Sequence, residues 1–206
     1  MGQRLNIEIM KDGKLLANCY YHWGGYSHSA IELTYKILKH YNFLKYYLNE
    51  DEYGIVGNKD LMLALYLLKK TGAGLEEDEM KIAKDKLIIN LEEDDEITLP
   101  IFKSRNDGII RVSEEGLKRT RDWEEARVTI DIGTEKVDFD AVHYPDEGDI
   151  NDYIEEGDVF EETEIRLKGM IFDDVFYLKQ FIEKACYEER YYFHNKYDDS
   201  KFILIE

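Results

Sequence analysis

The stretch Asn18-Cys19-Tyr20-Tyr21-His22-Trp23-Gly24-Gly25-Tyr26-Ser27-His28 holds the residue types for several chemistries. Cys19 with His22 could be a thiolate and its base, and His22 with His28 two metal ligands. On a regular strand, residues three apart face opposite sides, which separates Cys19 from His22. The two histidines lack further ligands at a recognised metal spacing. Glycines between a strand and a helix start can aim backbone N–H groups at an anion. Yet the loop has no GxGxxG, no GxxxxGKS/T and no lysine to meet a phosphate. Core aromatic packing around a tight turn is the favoured reading. The alternative is an interface anchored by Trp23 and Tyr26, because Trp and Tyr are preferred anchors there. Cys186 and His194, eight apart, share a helix face if the last helix reaches that far. Glu183, Glu188 and Glu189 surround that cysteine in sequence and argue against a nucleophile.

The second concentration of chemistry is acidic. From Asp138 to Glu164 the chain has twelve carboxylates and no Lys or Arg. Asp138, Asp140, Asp146, Glu147, Asp149, Asp152, Glu155, Glu156 and Asp158 are the candidate contact residues within it. Three readings compete. One is a solvated loop. Another is a divalent-cation site, although Asp146-Glu147-Gly148-Asp149-Ile150-Asn151-Asp152 departs from the D-x-D/N-x-D/N-G calcium loop. The third is mimicry of a nucleic-acid backbone. Alternate strand residues on one face lie roughly 6.6 Å apart, and a DNA strand carries a phosphate about every 3.4 Å. Carboxylates at such spacing can present a charge row to a basic groove.

Composition narrows the choice. With 45 Asp and Glu against 27 Lys and Arg in 206 residues, the formal charge is −18. Such a field repels phosphate backbones and anionic lipid heads and attracts basic surfaces, so neither nucleic acid nor membrane is an expected direct partner. A hydrophobic share of 44% supports a folded core. Two distant cysteines and the absence of a signal-type apolar segment point to a cytoplasmic setting. No cofactor motif or metal set is present, so no catalytic residue is assigned.

The elements that must position these groups are legible as periodicities. Leu5, Ile7 and Ile9 alternate with Asn6, Glu8 and Met10 as in a half-buried strand, and Asp12-Gly13 turns the chain into a strand over Leu15–His22. Ser29 with Glu32 makes a capping box for a helix reaching about Tyr47. Asn58 caps a helix over Lys59–Lys70 that stops at Thr71-Gly72, and a shorter helix carries Met80, Ala83 and Leu87. A short strand over Ile97–Phe102 and a turn at Asn106-Asp107-Gly108 precede Ile109–Val112. Ser113 caps a helix over Glu114–Glu125, which Gly116 weakens. Val128–Ile132 and Val137–Ala141 alternate as a hairpin around Gly133. A strand over Glu164–Phe172, a helix opened by Asp173 or Asp174, and a strand over Phe202–Ile205 complete the chain.

Segregated hairpins and helices without βαβ alternation predict an α+β fold. A single domain is favoured, with sub-lobes 1–90 and 91–206 left open. The stretches GQRLNIEI, NCYYHWGGYS and RDWEEARVTIDI, with the size and charge, resemble acidic proteins of phages and mobile elements, a pool that includes anti-CRISPR inhibitors. The resemblance implies a target such as an RNA-guided nuclease and assigns no residue. The expectation is a non-enzymatic inhibitor that fills a basic groove. The alternatives are a carboxylate-dependent metal hydrolase and a viral structural or assembly protein, with a homodimer left open.

Overall fold

The structure, a computed structural model, describes residues 4–25, 27–49, 58–87, 99–103, 108–143, 164–179, 192–194 and 201–203. The expected N-terminal hairpin is present: β1 (Leu5–Lys11) pairs antiparallel with β2 (Lys14–Tyr21). Asp12 and Gly13 turn between them with φ of 50° and 73°. A bulge follows Ile9, yet Leu5, Ile7 and Ile9 still face Tyr21, Cys19 and Ala17.

The single helix expected up to Tyr47 is two, α1 (Ser27–Leu38) and α2 (Tyr41–Asn49). Ser29 lies inside α1 instead of capping it. At the break the His40 N–H donates to the carbonyl of Ile37 at 3.3 Å, a tightened helix end. No glycine or proline marks the place. Tertiary packing is satisfied there instead, since Tyr41 is buried and its hydroxyl donates to the Ile132 carbonyl at 3.0 Å.

Helix α3 (Lys59–Lys69) starts where expected, with Asn58 Oδ1 accepting from the Leu61 N–H at 3.0 Å, and Gly72 at φ 89° ends the turn that follows. Two-residue β3 (Gly74–Leu75) and α4 (Glu77–Leu87) follow. Of the strand expected over Ile97–Phe102, the described residues 99–103 form only a bridge, between Ile101 and Leu75. After Gly108 come β4 (Ile109–Arg111) and α5 (Glu114–Arg121). Ser113 caps α5, its Oγ accepting from the Gly116 N–H at 2.9 Å, and the helix stops four residues short of Glu125. Gly116 makes room for side chains: a Cβ there would lie within 3.0 Å of Glu79 Oε1 and Ser113 Oγ, so those groups would have to shift.

The second expected hairpin is β5 (Ala126–Asp131) with β6 (Lys136–His143). The left-handed residue of its turn is Glu135, at φ 56°, while Asp131 Oδ1 accepts from the Gly133 N–H at 2.8 Å. Strand β7 (Glu164–Ile171) leads into helix α6, residues 172–179, which begins just before Asp173. β8 (Tyr192–His194) pairs with β9 (Lys201–Ile203). His194 therefore belongs to a strand and not to a helix face shared with Cys186, which lies outside the described residues.

The architecture is α+β, around a seven-stranded mixed sheet of order β3-β4-β2-β1-β5-β6-β7. Strands from residues 5–75 and 109–171 interleave in it, with β1 parallel to β5 and β3 parallel to β4. The register aligns Leu75, Ile110, Cys19, Ile7, Val128, Phe139 and Leu167 in one buried row across all seven strands. Each leucine, isoleucine, valine and phenylalanine of that row, removed from water, contributes about 1.5–3 kcal/mol. Helices α1, α2, α3 and α6 cover this apolar face; Phe172 meets Tyr41 edge to face at 5.0 Å, and Phe176 meets Tyr35 at 5.4 Å. No helix among the described residues is long and apolar enough to cross a membrane.

Candidate interaction surface

The opposite face of the sheet is polar, but it is not simply open. Asn6, Glu8 and Asn18 are buried under α5, so β1 is covered on both sides and not half-buried as its alternation predicts. Arg121 grips Glu8 through two hydrogen bonds, of 2.7 and 3.1 Å. Thr120 Oγ1 accepts from Asn18 Nδ2 at 2.7 Å. Glu124 takes a hydrogen bond from Asn6 at 3.0 Å and pairs with Arg127.

Asp138 and Asp140 lie farther along the same face, both partly exposed. Their cross-strand neighbours on β5 are Thr129 and Arg127, so a cation interrupts the acidic row at Asp140. Asp138 also supports the fold: its Oδ1 accepts from the N–H of Gly169 at 2.6 Å, where β7 departs from regular register with φ 69°. Asp138→Ala is expected to lower stability by about 1–2 kcal/mol, and Asp138→Asn, which keeps the acceptor, by less. Urea denaturation of the two variants checks this; equal losses would assign the effect to charge.

Cys19 sits in the apolar row, fully buried, and burial pushes its thiol up to about 12, which removes it as a nucleophile. His22 lies in the turn after β2, its ring edge-on to Trp23 at 5.0 Å. Trp23 is 61% exposed, so core packing is the wrong reading for this side chain. Gly24 beneath it packs against Leu5 and Tyr21 so closely that a Cβ would strike Tyr21.

Sequence reasoning passed over Trp123, in the turn after α5, which is 51% exposed with Arg119 stacked at 5.2 Å. Leu5 pairs with both Tyr21 and Ala126, so both tryptophans flank the same end of the sheet, one following β2 and one preceding β5. The antiparallel register brings the end of β6 to that edge too, where His143 pairs with Glu164. The acidic connector between these residues therefore leaves and re-enters the fold at the end of the sheet that carries both tryptophans. Asp146, Glu147, Asp149, Asp152, Glu155, Glu156, Asp158 and Tyr26 lie outside the described residues.

No family model matches the chain, and neither a curated protein nor a solved structure matches it. The residues themselves carry the functional argument. Outside the described residues lie 24 of the 45 acids but four of the 27 bases, leaving the described scaffold with 21 acids to 23 bases. The scaffold is thus close to neutral, and the surplus belongs to a few segments joined to it. Two of these are rooted together, since the Asn58 N–H donates to the Leu87 carbonyl at 3.2 Å. Among the described residues, no group of three His, Cys, Asp or Glu is set to hold a metal ion.

Among the described residues of α1 to α3 and their adjoining turns, Lys36, Lys39, Lys45, Lys59, Lys69 and Lys70 outnumber the carboxylates Glu32 and Asp60. Phe43 and Tyr46 stand exposed on α2. The run 33–49, with three lysines and no acid, carries that signal in the sequence.

Proposed function

We propose that this chain is a non-enzymatic acidic binding protein that occupies the basic groove of a nucleic-acid-handling protein, such as an RNA-guided nuclease, as a nucleic-acid mimic. The observation that carries this reading is the placement of Trp23 and Trp123, both exposed, at the end of the sheet where the 138–164 acidic stretch is rooted. Carboxylates steer a cationic partner and set the encounter rate. Exposed tryptophans supply the desolvated anchors that fix a complex once formed.

The test measures affinity for a panel of RNA-guided nucleases at low and high salt. Reversing Asp146, Glu147, Asp149 and Asp152 to lysine is expected to slow association at least about tenfold at low salt. Trp123→Ala is expected to cost about 2 kcal/mol of binding, mainly in dissociation. Failure to bind any nuclease in the panel, or unchanged affinity in the reversed variant, would remove the reading.

A further inference from the structure

Helix α5 lies across the polar face of the sheet and gains little apolar burial from it. It buries two of its eight residues, Gly116 and Thr120, whereas α3 buries seven of its eleven, five of them leucine. Both ends of α5 are fastened. At one end Glu79 Oε2 accepts from the N–H groups of Val112 and Ser113, at 2.7 and 2.9 Å, and the Ser113 hydroxyl donates to Glu79 Oε1. At the other end the N–H groups of Glu125 and Ala126 donate to the Arg4 carbonyl, at 3.1 and 2.9 Å. Between these points the ties to the sheet are polar side chains, Arg121 on Glu8 and Asn18 on Thr120.

The groups under α5 favour water as well. Asn6 and Asn18 are wholly buried, and neither Oδ1 meets a protein donor; Arg127 Nε is buried without a protein acceptor. Buried polar groups left unpaired cost free energy, which solvent returns when the cover is lifted. The ion pair follows the same logic. Deleting Arg121 strands the Glu8 charge inside, whereas lifting α5 hands both charges to water. The strands beneath have other support: β1 pairs with β2 on one side and β5 on the other, and Leu5, Ile7 and Ile9 are held in the core on the opposite face.

We propose that α5 is a strap that lifts off the polar face while the seven-stranded sheet stays intact, with Arg121 on Glu8 as its latch. Lifting uncovers Glu8, which lies in cross-strand register with Thr129 and, through it, with Asp138. The exposed carboxylates of this face then extend from β6 to β1. Trp123 is tied to α5 by its N–H on the Thr120 carbonyl and by Arg119 stacked on its ring, so it travels with the strap. The use of the opened face to meet a cationic partner rests on the proposed function; the opening itself does not.

Native-state hydrogen exchange of the full chain, at rising but sub-denaturing urea, tests the strap without any partner. The amides of Leu117, Thr120 and Asp122, from the start, middle and end of α5, are expected to share one protection factor that hardly changes with urea. It should be at least about tenfold lower than that of Leu65 and Leu68 in α3, whose protection falls with urea as global unfolding does. Arg121→Gln should lower the protection of α5 by at least about another tenfold. Protection graded from frayed ends to a guarded Thr120, or a urea dependence equal to that of α3, would overturn the strap. Unchanged protection of α5 in Arg121→Gln would remove the latch. A strap that opens in a chain binding no nuclease would keep the opening and remove only the use assigned to it.

Discussion

Gly74→Ala is expected to cost at least about 3 kcal/mol of folding stability, the range of core overpacking plus lost backbone hydrogen bonds. Gly74 begins β3, which is held between β4 and residues 99–103. On the β4 side its N–H donates to the Gly108 carbonyl at 3.0 Å. On the other side the Leu75 N–H donates to the Pro100 carbonyl at 2.8 Å, and the Phe102 N–H to that of Leu75 at 3.0 Å. A Cβ at residue 74 would come closer than 3.0 Å to backbone atoms of Ile101 and Phe102. Main chain cannot step aside as the tip of a flexible side chain can, so the 99–103 segment must lift away.

Gly13→Ala serves as the control. That residue also has a positive φ, but a Cβ there meets nothing within 4 Å, so the expected loss is only about 1 kcal/mol of backbone strain. Urea denaturation followed by circular dichroism measures both. Equal losses would mean that the close approach at Gly74 relaxes freely.

Arg121→Ala is the second large effect, expected at about 2–3 kcal/mol. The Glu8 side chain is 2% exposed and receives both Arg121 hydrogen bonds, whereas the Arg121 side chain is 46% exposed. Breaking a fully buried pair costs about 3–5 kcal/mol, because an unpaired charge remains inside. Water reaching the arginine end reduces that figure here. The asymmetry makes the prediction specific: Glu8→Gln removes the buried charge and leaves a cation that water can solvate, so it should cost less than Arg121→Ala. Urea denaturation of both variants gives the order, and the reverse would show that the carboxylate of Glu8 is not the group at risk.

Local signals were legible where the chain needs only its near neighbours. Period-two alternation located both hairpins, and Asn58 and Ser113 were recognisable caps because a capping side chain bonds to an N–H three residues away. The α+β class followed from the order of those elements. The break between α1 and α2 was not legible, because apolar spacing runs through Lys39-His40 and what holds Tyr41 is a carbonyl 91 residues away.

The candidate surface divides the same way. The acidic connector was conspicuous in composition, and Trp23 drew notice through its glycine-containing loop. Trp123 did not, since nothing in its immediate sequence says that the turn after α5 meets the same end of the sheet as the turn after β2.

From the sequence alone came the alternating strands, the helix caps, the excess of acid and its crowding between Asp138 and Glu164. Only the tertiary structure decided that Glu8 is enclosed and that Asp138 holds a backbone N–H of β7. The reason is range. Propensity and periodicity act over a few residues, whereas burial and local field depend on partners brought together from far along the chain, such as Glu8 and Arg121, 113 positions apart.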